Sequence, residues 1–307
     1  MTIKQKLQLI KKVSGLTQEK LAKKLGVSFV TLNSWIRGRS EPRKKAQKKI
    51  DELYREYTGQ KIIPIDILQA KKQIIQKKGK KYKNILKRIF NNPDIYDELI
   101  LVLTYNSNSI EGSTLSEPET AAILFQNVAL PNKSLTEQLE VRNLQAALQY
   151  LFQYIYSSQK IDEELILKLH SILMNGIRQD AGAYRKHGVR IIGANVPTAN
   201  YLKISKLMKE LIGDIKRTRK DVVAHATEIH ARFEQIHPFS DGNGRIGRLL
   251  IHAMLLRKNL SPAIIKQEKR QFYYLYLQKA QQKNEFSQLE NFICDAVIGG
   301  FDLIERY

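Results

Sequence analysis

The densest chemistry in the chain lies in one run, His237-Pro238-Phe239-Ser240-Asp241-Gly242-Asn243-Gly244-Arg245-Ile246-Gly247-Arg248. Two glycines flanking an asparagine permit positive φ and let backbone N–H groups converge on an anion. Ile246, Leu249, Leu250, Ala253 and Met254 follow at helical spacing, so the glycines fall at a helix N-terminus. Free amides and the helix dipole favour phosphate there. Arg245 and Arg248 sit on the first turn, where their charge opposes the dipole unless phosphates lie between them. Asp241 is a hard oxygen ligand beside this cradle, suited to a Mg²⁺ ion that bridges two phosphates. His237 holds a proton near neutral pH and suits a general base acting on a hydroxyl. A purely structural origin does not account for all these groups in so short a run.

The run resembles the signature of the Fic family, His-Pro-Phe-x-(Asp/Glu)-Gly-Asn-Gly-Arg-x-x-Arg, at every fixed position. Upstream, Gly182-x-Tyr184-Arg185 followed by Val189-x-Ile191-x-Gly193 and Pro197 looks like that family's hairpin flap. The resemblance implies a protein adenylyltransferase that moves AMP from ATP to a Ser, Thr or Tyr hydroxyl of a target protein or of itself. On these residues His237 would deprotonate the hydroxyl, Asp241 would hold Mg²⁺, and Gly242, Asn243 and Gly244 would cradle the phosphates. Arg245 and Arg248 would neutralise the β and γ groups. The flap, Val189, Arg190, Ile191, Ile192 and Gly193, would take the target's backbone as an added strand. Tyr273 and Tyr274 are candidates to border the adenine, although aromatic residues on a helix more often build the core.

Ser107-Asn108-Ser109-Ile110-Glu111-Gly112 resembles the inhibitory motif (Ser/Thr)-x-x-x-Glu-(Gly/Asn) of many Fic proteins. Ser107, Glu111 and Gly112 are its fixed positions. A glutamate reaching the nucleotide site would pair with Arg248, in two-point geometry if aligned, and keep it from the γ-phosphate. The same residues would also serve removal of AMP, with Glu111 orienting a water. A third alternative is a DNA-binding transcriptional regulator whose Fic-like domain only senses nucleotide. Phosphate transfer, as in the Doc branch, fits less well because Gly244 is retained. His225, His230 and His237 do not follow a zinc pattern, and Cys294 is the single cysteine.

These groups need helices to hold them. Helical patterning is expected near 94–108, 116–127, 134–156, 161–175, 201–216, 220–236, 243–258, 267–282 and 286–304, with a short strand and hairpin only around 189–197. Gly59, Pro64 and Gly79 are expected to break the helices between 43 and 90. The fold class is mostly α: a Fic-like helical domain with a small β-hairpin flap, preceded by a small all-α helix-turn-helix domain. The expected division is 1–58 helix-turn-helix, 59–92 basic helical linker and 93–307 Fic domain.

Charge divides the chain in the same way. Residues 1–90 hold 25 Lys and Arg against 6 Asp and Glu, while the other 217 residues hold 26 against 24. The excess points to an anionic partner for the N-terminal third. There Thr17 and Ser28 are candidate caps for two helices joined at Gly26-Val27, and Gly38 is placed to end the second. The segment 16–42 resembles the helix-turn-helix domains of phage-repressor-like regulators, with Thr-Gln-x-x-Leu-Ala and Trp-x-x-Gly in place. Its second helix would enter the major groove, offering Ser28, Phe29, Thr31, Asn33 and Ser34 to base edges and phosphates, with Arg37 and Arg39 on phosphates. Leu32 and Trp35 or Ile36 would face the core. The partners expected are ATP, a hydroxyl-bearing protein and DNA, with no membrane and with a homo-oligomer left open. A lone cysteine and the absence of a secretory pattern fit a cytoplasmic setting.

Overall fold

The computed structural model describes residues 2–58, 63, 65–190, 196–217 and 219–307. The chain divides into two compact units, Met1–Ile63 and Pro64–Tyr307.

The smaller unit has four helices: α1 (Ile3–Ser14), α2 (Gln18–Leu25), α3 (Phe29–Arg37) and α4 (Lys44–Thr58). Thr17 and Ser28 cap α2 and α3 by accepting from the backbone N–H of Lys20 and Thr31, and Gly26 and Gly38 end them in the left-handed conformation. Leu32 and Trp35 on α3 join Leu7, Ile10, Leu21, Leu25, Ile50 and Tyr54 in one core. The opposite face of α3 is left to solvent, and Phe29 and Val30 are both exposed there.

The larger unit is also all helical: α5 (Ile65–Lys80), α6 (Ile85–Phe90), α7 (Pro93–Glu111), α8 (Glu117–Gln126), α9 (Leu135–Tyr156), α10 (Glu163–Leu173), α11 (Ile204–Lys216), α12 (Val222–Ile236), α13 (Asn243–Leu256), α14 (Arg270–Lys283) and α15 (Ser287–Ile304). Its centre is the pair α12 and α13, around which α7, α9, α10, α14 and α15 pack. Every residue of α13 except Gly244 is buried. A helix apolar on all sides but its first turn belongs at the middle of a core, and the fully buried Leu, Ile and Phe side chains there each contribute about 1.5–3 kcal/mol. No helix among the described residues is long and apolar enough to cross a membrane.

The reading of residues 59–92 changes. Residues 59–92 do not form a linker from 65 onward: Ile75, Ile85, Leu86 and Ile89 are buried in the larger unit's core, and Lys71 and Lys72 pair with Asp295 and Glu290 on α15. The lysines give the segment a solvated look, but Ile75, Ile85, Leu86 and Ile89 form the face that packs, while Ile67 and Ile74 are exposed. Gly79 also lies within α5, which runs on to Lys80. The expected hairpin has no strand among the described residues. Of the flap, Ile191, Ile192 and Gly193 lie outside them, whereas Val189 and Arg190 are irregular backbone.

Asn259 fixes α5 and α6 to the core. Its Oδ1 accepts from Ile85 N–H at 2.7 Å, and its Nδ2 donates to the carbonyls of Gly79 and Tyr82 at 3.2 and 2.6 Å. Its own backbone is left-handed, with φ of 60°. Losing three such bonds at about 1 kcal/mol each predicts that Asn259→Ala destabilises the larger unit by about 2–3 kcal/mol in guanidinium unfolding. It should also speed hydrogen exchange along α6, whereas unchanged exchange there would contradict this anchoring.

Candidate active site

The loop from α12 to α13 carries the signature, and its shape is set by side chains outside it. His237 ends α12 in the left-handed conformation, φ 51° and ψ 62°, uncommon for a residue that is not glycine. Arg185 holds it there. Its Nε donates to His237 O at 2.7 Å, its Nη1 to His187 O and its Nη2 to Ala199 O, while its N–H bonds Pro238 O. The His237 imidazole keeps Nδ1 3.3 Å from Glu234 O. That contact suits an Nδ1–H, which leaves Nε2 as the free acceptor. Burial lowers the basicity of His237, with the Glu234 carbonyl opposing it.

Two further residues brace the loop. Asn243 accepts from Phe239 N–H at 2.9 Å and donates to Phe239 O at 2.8 Å. The Asn243 side chain is thus committed to the loop, and only its backbone is left for an anion. Phe239 is fully buried and stacks on His170 with ring centroids 3.7 Å apart. His170 Nδ1 accepts from Gly182 N–H at 2.8 Å, so the neutral ring presents Nε2–H to Asp241 O at 3.2 Å. Burial brings the His170 pKa down to about 4.

The first turn of α13 has no side-chain cap, because its N-cap is Gly242 at φ 75°. Its leading N–H groups therefore lack intrahelical partners, and two almost wholly buried guanidinium groups flank them. Arg245 Nη1 pairs with Glu140 of α9 at 2.7 Å and its Nη2 lies 3.7 Å from Asp241. Arg248 Nη2 pairs with Glu111 Oε1 at 2.7 Å, while Nε and Nη2 donate to Ser107 Oγ and O at 2.8 and 2.9 Å. The Glu111 contact is a one-oxygen pair rather than a two-point one, because much of the Arg248 fork serves Ser107. Glu111 is the last residue of α7, which Gly112 stops with φ of 110°. Its carboxylate reaches so far over α13 that a Cβ on Gly244 would collide with Oε1. Among the described residues, Arg245 Nε and Arg248 Nη1 are buried without a partner, so donors remain for a further anion.

The expected groups converge accordingly. His237, Asp241, Gly242, Gly244, Arg245, Arg248, Ser107 and Glu111 meet at the N-terminus of α13. Tyr273 does not border an open site: it is buried, with its hydroxyl 2.6 Å from His230 Nε2. Tyr274 is partly exposed and donates to Ile110 O at 3.1 Å, beside Glu111. Arg185, His170, Glu140 and Glu234 also serve the site, and spacing alone gave no signal for His170, Glu140 or Glu234. Among the described residues no group of three or more His, Cys, Asp or Glu could cage a metal. Asp241, about half exposed, offers one carboxylate at the phosphate cradle. That suits Mg²⁺ held mainly by phosphate and water.

In the smaller unit, Ser28, Phe29, Arg37 and Arg39 are exposed, and Thr31, Asn33 and Ser34 are half-buried. The Ser28 hydroxyl is engaged as a cap and with Thr31 Oγ1, and Ser34 Oγ bonds Ser40 Oγ at 2.8 Å.

The Fic/DOC family profile matches residues 160–255, and a helix-turn-helix profile matches residues 11–58. The chain is 36% identical over 182 residues to the protein adenylyltransferase Fic of Nematostella vectensis, covering 57% of this chain and 42% of that one. The protein adenylyltransferase Fic of Culex quinquefasciatus is 32% identical over 204 residues, covering 65% and 40%. The chain thus spans less than half the length of these curated relatives. A Fic family protein from Desulfovibrio desulfuricans superposes with a TM-score of 0.64 at 26% identity, over 79% of this chain and 74% of that one. Fic-1 of C. elegans superposes with 0.67 at 20% identity, over 94% and 84%, and shares the fold.

His170, His230 and His252 are buried, and burial depresses their pKa values from 6.5 to about 4, 3 and 3. Below 6.5 the unfolded chain binds protons that the folded chain refuses. Stability is therefore full above that pH and falls as pH drops toward 4, by at most about 1.4 kcal/mol per pH unit for each histidine. His170→Gln should remove about one proton from the slope of unfolding free energy against pH between 6 and 4.5. An unchanged slope would contradict a neutral, buried His170.

Proposed function

We propose that the chain, whose residues 160–255 match the Fic/DOC family profile and residues 11–58 a helix-turn-helix profile, is a protein adenylyltransferase. It transfers AMP from ATP to a Ser, Thr or Tyr hydroxyl of a target protein or of itself, under restraint by Glu111. The observation that carries this is the uncapped N-terminus of α13, six residues after His237, with two buried arginines in its first two turns.

The chemistry follows from the placement. The hydroxyl's proton passes to His237 Nε2 as the oxygen attacks the α-phosphorus, and the α–β bridge breaks with pyrophosphate leaving. The N–H groups of α13 and the free donors of Arg245 and Arg248 take the phosphate charge, so positioning and charge stabilisation provide most of the rate. Asp241 would hold Mg²⁺, which when bound neutralises phosphate charge. Val189 and Arg190 open the flap on which the target's backbone would dock, and Thr198 Oγ1 ties its far side back to Val189 O at 2.8 Å. Glu111 supports the restraint: its carboxylate takes up Arg248 and the space over Gly244, where the γ-phosphate would sit. Removal of AMP from a modified protein would use the same residues. The smaller unit would bind DNA through α3, with Arg37 and Arg39 on phosphates, and a cytoplasmic setting goes with this reading.

With α-labelled ATP and Mg²⁺, Glu111→Gly should gain AMP by intact mass at least about tenfold faster than wild type, a difference of about 1.4 kcal/mol in barrier. Glu111→Gly, His237→Ala should gain none. Absence of label from every variant would turn the reading toward AMP removal or nucleotide sensing. For DNA, Arg37→Ala and Arg39→Ala should each weaken binding across sequences and lower the salt slope by about one. Salt-independent binding, or none, would leave the smaller unit as a protein-docking module.

A further inference from the structure

Glu234 lies one helical turn before His237 on α12 and is buried. Among the described residues its Oε1 has no hydrogen-bond partner, and the one basic nitrogen within ion-pair range is His237 Nδ1, 4.0 Å from Oε2. On the other side is His230, whose Nδ1 is also buried and unpartnered and whose Nε2 meets the Tyr273 hydroxyl. A Cβ on Gly247 would collide with Glu234 Oε1 and stand 3.0 Å from His230 Nδ1, so glycine there clears the room that these two groups share. An acid left this bare in a core is costly in its ionised form.

We propose that Glu234 is a positioning residue that sets the strength of His237 as a base. With its proton on, Glu234 is a neutral neighbour. With its proton off, it is a carboxylate that fixes Nδ1–H and balances the charge formed when Nε2 takes the target's proton. The proposal rests on the transfer reading above. In that step the hydroxyl O–H bond breaks and its proton goes to Nε2. The oxygen's electron pair forms the bond to the α-phosphorus, and the pair of the broken α–β bridge leaves with pyrophosphate. Glu234 has by then given its own proton to solvent.

The surroundings link this to Glu111. The charged and titratable groups that act on or adjoin Glu234 are Glu111 of α7, His230 on its own helix, His237 just after it, Arg248 of α13, and Tyr273 and Tyr274 of α14. Burial raises its pKa to about 8; the Glu111 carboxylate adds to the rise and Arg248 opposes it. Departure of Glu111 removes a like charge and leaves Arg248 unopposed, so Glu234 releases its proton at lower pH. The restraint would then act twice, on Arg248 by contact and on His237 through Glu234.

The test is an imidazole ¹⁵N NMR titration of His237 in the full chain, without nucleotide, in wild type, Glu234→Gln and Glu111→Gly. Wild type should show the Nδ1–H tautomer and, besides the ring's own titration, an inflection near the Glu234 pKa of about 8. The inflection should be absent in Glu234→Gln and move to lower pH in Glu111→Gly. An inflection that persists in Glu234→Gln, or stays in place in Glu111→Gly, overturns the proposal. The second arm keeps Glu234 and carries the test should Glu234→Gln not fold. Within the Glu111→Gly background, Glu234→Gln should lower kcat for AMP transfer at about pH 9 by roughly tenfold or more, with KM for ATP within about twofold. An unchanged kcat would also overturn it. Should the Glu111→Gly parent transfer no AMP while the inflection behaves as stated, the transfer reading falls and the Glu234–His237 pairing stands.

Discussion

A helix whose N-terminus is brought into a protein core must find an anion for its unpaired N–H groups. In α13 that requirement is acute, because all of the helix but Gly244 is buried, Gly242 caps it without a side chain, and Arg245 and Arg248 add positive charge within its first two turns. Asn243 gives its side chain to the loop. Glu140 meets Arg245, and Glu111 meets Arg248 from the end of α7. The absence of a Cβ at Gly244 is what lets the Glu111 carboxylate come so close. A site that accepts this carboxylate suits a phosphate, and under the proposed function the internal acid would compete with it. Restraint and recognition would then be two uses of one electrostatic demand.

Much of this was legible in the sequence. The run 237–248 points to an anion site because glycines, arginines, an acid and a histidine have few structural reasons to share one loop. The helix caps were legible for a similar reason: Thr17 and Ser28 precede apolar periodicity, and Gly26 and Gly38 follow it. Glu111 was visible only through resemblance, since a glutamate before a glycine ends many helices. Arg185 was noticed as part of a motif, but its hold on His237 O depends on a left-handed turn that no local pattern announces. His170, Glu140 and Glu234 were not legible, because each reaches the site across the fold and looks, in its own helix, like an ordinary residue on a packed face. The segment 65–90 reads as solvated through its lysines, although Ile75, Ile85 and Ile89 place it in the larger core.

The two units are built on different uses of charge. The larger unit buries a few cations and answers each with a carboxylate, a carbonyl or a space for phosphate. The smaller unit leaves its cations in solvent around a modest apolar core, with α3 stopped at Gly38 and Arg37 and Arg39 on either side of the stop. Exposed cations of that kind give a long-range, salt-sensitive attraction to polyanions. Buried ones give geometric selectivity for a small anion. The proposed enzyme site and nucleic-acid surface rest on these two patterns.

In the proposed mechanism the Glu111 carboxylate and the γ-phosphate of ATP require the same place beside Arg248 and Gly244. The most direct measurement is a pair of crystal structures, wild type and Glu111→Gly, each soaked with a non-hydrolysable ATP analogue and Mg²⁺. In Glu111→Gly the γ-phosphate should contact Arg248 and the N-terminus of α13, with the α-phosphorus in line for an oxygen held by His237. Wild type should keep the Glu111–Arg248 pair and hold the nucleotide differently. The same nucleotide pose in both proteins, with Glu111 still on Arg248, would contradict the account.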